Sequence, residues 1–126
     1  MKKIINTTKA PAPIGPYNQA VLVNNVLYIS GQIAINPQTN ELVMTSVEEE
    51  SHQVMSNLKE VLSEADYSFN DIVKTTIFLS DMSLFPRVNE IYGSYFTSDF
   101  PARETVAVAG LPKGVNVEIS AIACKE

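Results

Sequence analysis

The positions of apolar and polar residues along the chain divide it into segments of period two and segments of helical period. "KKIIN" at the start is a short strand candidate, and "TKAPAPIGPY" after it is a Pro/Gly loop that holds itself extended. "NQAVLV" and "VLYISGQIA" are apolar runs on either side of Asn24-Asn25. Asn tolerates positive φ, so the pair predicts a two-residue hairpin turn. That turn sets Val23 against Val26, Val21 against Tyr28 and Gln19 against Ser30, with Tyr17 near Gln32. "INPQTNEL" is a turn-rich loop.

The clearest helix follows. Val47, Val54, Met55, Leu58, Val61, Leu62 and Ala65 fall on one stripe, with Glu49, Ser56, Lys59, Glu60 and Ser63 opposite. Thr45 and Ser46 are its cap candidates, with Glu48 and Glu49 in capping-box position. "NDIVKTTIFLS" is a strand with Val73, Thr75, Ile77 and Leu79 on one face. "MSLFPRVNEIYGSYF" is a second helix whose stripe is Phe85, Val88, Tyr92, Tyr95 and Phe96, with Pro86 in its first turn. Asn89 interrupts that stripe. "RETVAVA" and "VNVEISAIAC" end the chain as strands. The order β-β-β-α-β-α-β-β predicts an α+β fold, a mostly antiparallel or mixed sheet with both helices on one face.

The last two strands are read as a hairpin through "LPKG". Their bulkier sets, Val106/Val108 and Val117/Ile119, are expected to face the helices together, which puts Arg103, Thr105, Glu118 and Ser120 on the opposite face. That face mixes charge with small apolar residues. Two readings fit it: a surface covered by another subunit with a pocket at the seam, or an exposed face with an Arg–Glu cross-strand pair.

Composition narrows the function classes. The chain has 126 residues, 45% hydrophobic and 18% charged, which suits one domain, residues 1–126, with a true core. A net charge of −5 argues against nucleic acid as the main partner. One cysteine, Cys124, excludes an internal disulfide, and with one histidine, His52, it offers no zinc-ligand spacing. His52 is expected on the solvated side of the first helix. No segment approaches the ~18 apolar residues of a membrane span, and no signal peptide is evident, so a cytoplasmic location without membrane contact is expected. No phosphate-binding glycine loop follows a strand.

"IGPYNQA", "LYISGQI", "NPQT", "IVKTTIFLSDM", "VNEIY" and "FPARETVAVAGLPKGVNVEISAIA" together resemble the Rid (YjgF-like) family of reactive-intermediate deaminases, and within it the RidA subgroup. The resemblance spans nearly the whole chain. It implies a chorismate-mutase-like fold and a homotrimer with pockets between subunits. It implies hydrolysis of 2-enamine and 2-imine acids, such as 2-aminoacrylate and 2-iminobutyrate, to 2-keto acids and ammonia, which limits damage to pyridoxal-phosphate enzymes. It implies no cofactor and no metal.

Carried over by motif, Arg103 of "PAR" binds the substrate carboxylate and Glu118 of "VEI" orients the hydrolytic water. Tyr17 of "GPY", Ser30 of "ISGQ" and Asn89 of "VNEIY" line the pocket. Thr105 stands where many relatives have a cysteine, so a thiol role is lost while backbone contacts there persist. Glu104 replaces a usually small residue, and Asp66 stands near a helix-ending glycine. The chemistry suits the residue types: a planar guanidinium grips a carboxylate bidentately, and a partly desolvated carboxyl shuttles protons. Two other classes remain: a module that binds a small carboxylate or keto acid without turnover, which the same arginine would serve, and an RNA-directed translation inhibitor, which the acidic charge disfavours.

Overall fold

A computed structural model describes residues 1–126. The strands are β1 (Lys3–Ile5), β2 (Ala20–Val23), β3 (Val26–Gln32), β4 (Ile35–Asn36), β5 (Glu41–Leu42), β6 (Ile72–Leu79), β7 (Ala102–Ala107) and β8 (Val117–Cys124). The helices are α1 (Val47–Glu64) and α2 (Phe85–Gly93). One six-stranded sheet runs in the order β1-β2-β3-β8-β6-β7, and β4 with β5 forms a separate small pair inside the loop expected to be turn-rich. The sheet is antiparallel except for β6 with β7, which are parallel.

The first hairpin forms with the expected register. Val23 pairs with Val26 and Val21 with Tyr28, around Asn24 and Asn25 at φ 50° and 67°. In α1, Val47, Val54, Met55, Leu58, Val61 and Leu62 are all buried. Ser46 is the N-cap, its Oγ accepting from the Glu49 amide at 3.0 Å. Glu48 turns instead to α2, where its carboxylate accepts from Arg87 Nε at 2.7 Å and Nη2 at 2.6 Å. Pro86 sits in the first turn of α2, as its missing amide allows. The helix itself is shorter than the apolar stripe, and a 3-10 turn over Met82–Leu84 precedes it. Both helices cover one face of the sheet, and Leu27, Ile29, Ile77, Leu79, Ile119, Ala121 and Ala123 join the helix stripes in one core.

Three local expectations are corrected. The last two strands are not a hairpin: β6 lies between β7 and β8, and the connecting "LPKG" is a 3-10 turn over Pro112–Gly114. Residues paired across strands share a face. Thr75 pairs with Arg103, Ile77 with Thr105 and Leu79 with Ala107, and Thr75, Ile77 and Leu79 are buried against the helices. Arg103, Thr105 and Ala107 therefore point to the helix side, while Val106 on the other side is exposed. Bulk was a poor guide because β7 is an edge strand whose larger residues sit on the uncovered face. Val73 also leaves its expected face. A bulge between Ile72 and Lys74 makes it the extra residue, so Ile72 takes the core position and Val73 is exposed.

Buried polar groups tie the scaffold together. Glu50 is fully buried at the start of α1 and accepts from the amides of Asn116 at 2.7 Å and Val117 at 2.9 Å, and from Asn116 Nδ2 at 3.0 Å. That anchors the first residues of β8 and so the strand position of Glu118. Asn57 Nδ2 donates to the carbonyls of Ile33 and Ile35, each at 3.0 Å.

Candidate active site

Glu118, Tyr17 and Ser30 meet at one cavity of about 350 Å³ on the face away from the helices. Its wall is largely apolar, with Ile14, Ile33, Ile35 and Pro112. Val117 and Ile119 point into the core, so alternation along β8 sends the Glu118 side chain to the opposite face. Burial raises the Glu118 carboxyl above its ordinary value of 4.5. A carboxyl so placed is a better proton acceptor when ionised and holds its proton to higher pH. The Ser30 hydroxyl donates to the Asn18 carbonyl at 2.7 Å, which uses its proton and leaves its oxygen to act as an acceptor. The Tyr17 hydroxyl accepts from the Ile14 amide at 3.3 Å and so holds the Pro-rich loop that forms one wall.

Arg103 and Asn89 meet elsewhere. They line a second cavity of about 420 Å³ with Tyr92, Gly93, Phe100 and Pro101. Arg103 Nη1 donates to Asn89 Oδ1 at 2.6 Å. The guanidinium lies over the rings of Phe85 and Tyr92, 5.2 Å from each centroid. Tyr92 is fixed in turn by a 2.7 Å hydrogen bond between its hydroxyl and Thr75 Oγ1. Asn89 thus interrupts the apolar stripe of α2 because it orients the arginine. The ion pairs of the chain are Lys74–Glu104 and Arg87–Glu48, so Arg103 has no carboxylate partner within it. A planar cation held by one amide and two aromatic faces keeps most of its donors for a planar anion such as a carboxylate. Thr105 lies two residues along the same side, and its Oγ1 is buried with no hydrogen-bond partner.

The expected same-face placement of Arg103 and Glu118 is thereby overturned. Within one chain the six residues split into two groups: Tyr17, Ser30 and Glu118 on one side, Arg103, Asn89 and Thr105 on the other. The physical reason is the parallel pairing of β7 with β6, which places Arg103 beside the core residue Thr75. His52 is exposed as expected, its Nδ1 2.8 Å from the Tyr95 hydroxyl. No three His, Cys, Asp or Glu side chains converge to hold a metal ion.

Comparison with known proteins decides the family. The family model described as Endoribonuclease L-PSP, the YjgF/Rid family, matches residues 7–125. The chain belongs to the YjgF/Rid family. The 2-iminobutanoate/2-iminopropanoate deaminase of Mus musculus is 52% identical over 123 residues, 98% of this chain and 91% of that protein. A RutC family protein of Pyrococcus horikoshii is 48% identical over 126 residues, 100% of each chain. Among solved structures, the YjgF gene product of E. coli superposes with a TM-score of 0.94 at 44% identity, over 98% of this chain and 99% of that one. As a member of the family, the chain carries the family's two-helix α+β architecture.

The residues that support this Rid-family site from around its named members carry weaker signals in the sequence. The apolar stripe of α2 marks Phe85 and Tyr92 as core, although an arginine at the mouth of the strand that follows is also a signal for stacking. Ile33 lies at the end of the apolar run of the first hairpin and Ile35 opens the turn-rich loop, and neither position by itself signals a cavity wall. Gly31, alone inside an apolar strand, carried a readable signal of a bulge or a close approach.

Proposed function

We propose that this Rid-family protein is a 2-iminobutanoate/2-iminopropanoate deaminase. It hydrolyses 2-enamine and 2-imine acids to 2-keto acids and ammonia, and works as a homotrimer in the cytoplasm with its active sites between subunits. The observation that carries this reading is the split between the two half-sites. Arg103 is an oriented cation without an anion, and Glu118 is a proton-transfer group in an apolar cavity on the opposite face of the sheet. A second copy that covers the open face brings its Arg103 and Asn89 to the Glu118, Tyr17 and Ser30 of the first. The names of the mammalian relatives support the activity.

The steps follow from the residue types. Arg103 grips the substrate carboxylate, and Asn89 and the two rings hold the guanidinium plane. The imine carbon then faces Glu118. Ionised Glu118 takes a proton from water as the oxygen adds to that carbon. The same carboxyl returns that proton to nitrogen, which completes the carbinolamine. It then takes the hydroxyl proton and passes it to the amine, so that ammonia leaves as the keto group forms. Tyr17 and Ser30 offer hydroxyls to the polar atoms of the intermediate. Orientation in such a site supplies part of the acceleration, and the shuttling carboxyl contributes ~10²–10⁴-fold.

The test generates 2-iminobutyrate in situ with a threonine dehydratase and follows 2-ketobutyrate. Formation faster than the spontaneous rate is expected. No acceleration, with keto acid binding retained, would establish the binding-module reading in its place.

A further inference from the structure

Strand β3 does not run evenly past β8. Ile29 stands against Ala121 and Gln32 against Ile119, so Ser30 and Gly31 together oppose Ser120. This is a bulge, with two residues on one strand against one on the other. It is held from both sides: the Ser30 amide donates to the Gln19 carbonyl at 2.9 Å, and Gln32 Nε2 donates to the Ser30 carbonyl at 3.2 Å. The Glu118 side chain lies over Gly31. A Cβ on Gly31 would stand 2.7 Å from the Glu118 carboxyl carbon and 3.0 Å from its Cγ, and closer still to Oε2. Gly31 is not among the residues with positive φ, so the position needs space and not an unusual backbone. No other glycine is like it. A Cβ at Gly15 would meet the Tyr17 ring at an ordinary 3.7 Å, and one at Gly110 would meet nothing.

We propose that Gly31 is a positioning residue, the seat on which the Glu118 carboxyl rests inside the cavity. The inference builds on the reading of Glu118 as the group that works on water. The bulge aims Gly31 and Ser30 at Glu118, and the missing side chain lets the acid lie flat against the strand. A methyl group there forces the carboxyl outward, because the far end of a side chain yields more readily than two hydrogen-bonded strands. The acid is then out of line with the substrate and better hydrated.

A double-mutant cycle on the assembled protein tests this without reference to activity. Gly31→Ala, Glu118→Ala and the double variant are unfolded in urea. At a pH low enough to keep Glu118 protonated, so that hydration of its charge does not offset the crowding, Gly31→Ala should lower the midpoint when Glu118 is present and leave it unchanged or slightly higher in the Glu118→Ala background. An equal loss in both backgrounds overturns the proposal. If Gly31→Ala alone does not fold, the double variant should, and its failure to fold has the same overturning weight. Turnover supplies the second readout: Gly31→Ala should lower kcat by about tenfold or more with KM within a few-fold, while Gly110→Ala leaves both unchanged. Carbon-13 NMR of the Glu118 carboxyl should show its titration moving down toward 4.5 in folded Gly31→Ala. A folded variant with unchanged titration and unchanged kcat would also sink the idea. Because the cycle reads stability, a protein that lacks deaminase activity can still confirm the seat, and a deaminase can still refute it.

Discussion

Arg103 and Glu118 lie on opposite faces of one sheet, with β6 between their strands. Arg103 shares the helix side with Thr75, and Glu118 shares the open side with its neighbour Phe78. No side-chain rotation brings two such groups together through a packed sheet. If both act on one substrate, they come from two chains.

That relationship makes complementation the most direct test. Arg103→Ala and Glu118→Gln proteins should each be nearly inactive when refolded alone. Unfolded together and refolded as a mixture, they should regain activity at roughly a quarter of the seams by random assortment. Absence of recovery, with mixed trimers confirmed by native mass spectrometry, would mean that the two residues do not share a site.

Arg103→Ala should weaken binding of the substrate carboxylate by at least tens-fold, since once a second copy covers the exposed Arg103, loss of a hydrogen-bonded charge partner there costs ~2–5 kcal/mol. Arg103→Lys should recover little of it. An ammonium cannot lie flat between Phe85 and Tyr92 while it donates to Asn89 and to both carboxylate oxygens. Steady-state kinetics on both variants, with circular dichroism to verify the fold, measures the effect. Near-native activity of Arg103→Ala would remove it from the site.

Glu118→Gln should slow turnover by ~10²–10⁴-fold while substrate analogues still bind. Its effect on stability has a definite sign. Burial raises the folded-state pKa above 4.5, so ionising Glu118 costs the folded chain more than the unfolded one. That cost is absent at pH below the unfolded value and grows as pH rises through the folded value. The neutral amide escapes it, so the variant should unfold at an equal or higher urea concentration than the parent at pH 7, and the difference should vanish below pH 4.5. A variant less stable at pH 7 would show that, in the assembled protein, the Arg103 of a second copy outweighs the cost of burial at Glu118.

The opposite sign applies to Glu48. The Arg87 guanidinium holds its carboxyl down to about 2, against an ordinary 4.5. A depressed folded-state pKa contributes stability that is present above pH 4.5 and is lost as pH falls toward 2. Arg87→Ala should remove that contribution. Urea midpoints of parent and variant should therefore differ most at neutral pH and converge as pH falls through this window. The fork between Glu48 and Arg87 is exposed, so the difference should be small, and a gap that widens in acid would contradict the assignment.

The two helices and the six strands of the main sheet, in their order, were legible in the sequence, because each depends on neighbours in the chain. The short β4–β5 pair, by contrast, hid in a stretch whose only local signal is its turns. Apolar spacing specifies the buried stripe of α1. Asn24-Asn25 specifies a turn and with it the register of β2 on β3. The charge, the single cysteine and the single histidine bounded the chemistry, and the motifs around Tyr17, Ser30, Asn89, Arg103 and Glu118 identified the family. What the tertiary structure decided was which strand lies beside which, and hence which residues share a face. The pattern of β7 is compatible with either orientation, since an edge strand can place its larger residues on an uncovered face. Only its pairing with β6 turns Arg103 toward Asn89. The bulge at Ser30-Gly31 has the same origin. Local pattern marks a glycine, but the carboxyl it makes room for arrives from β8, 87 residues further along the chain, in a position set by the buried Glu50 at the start of α1.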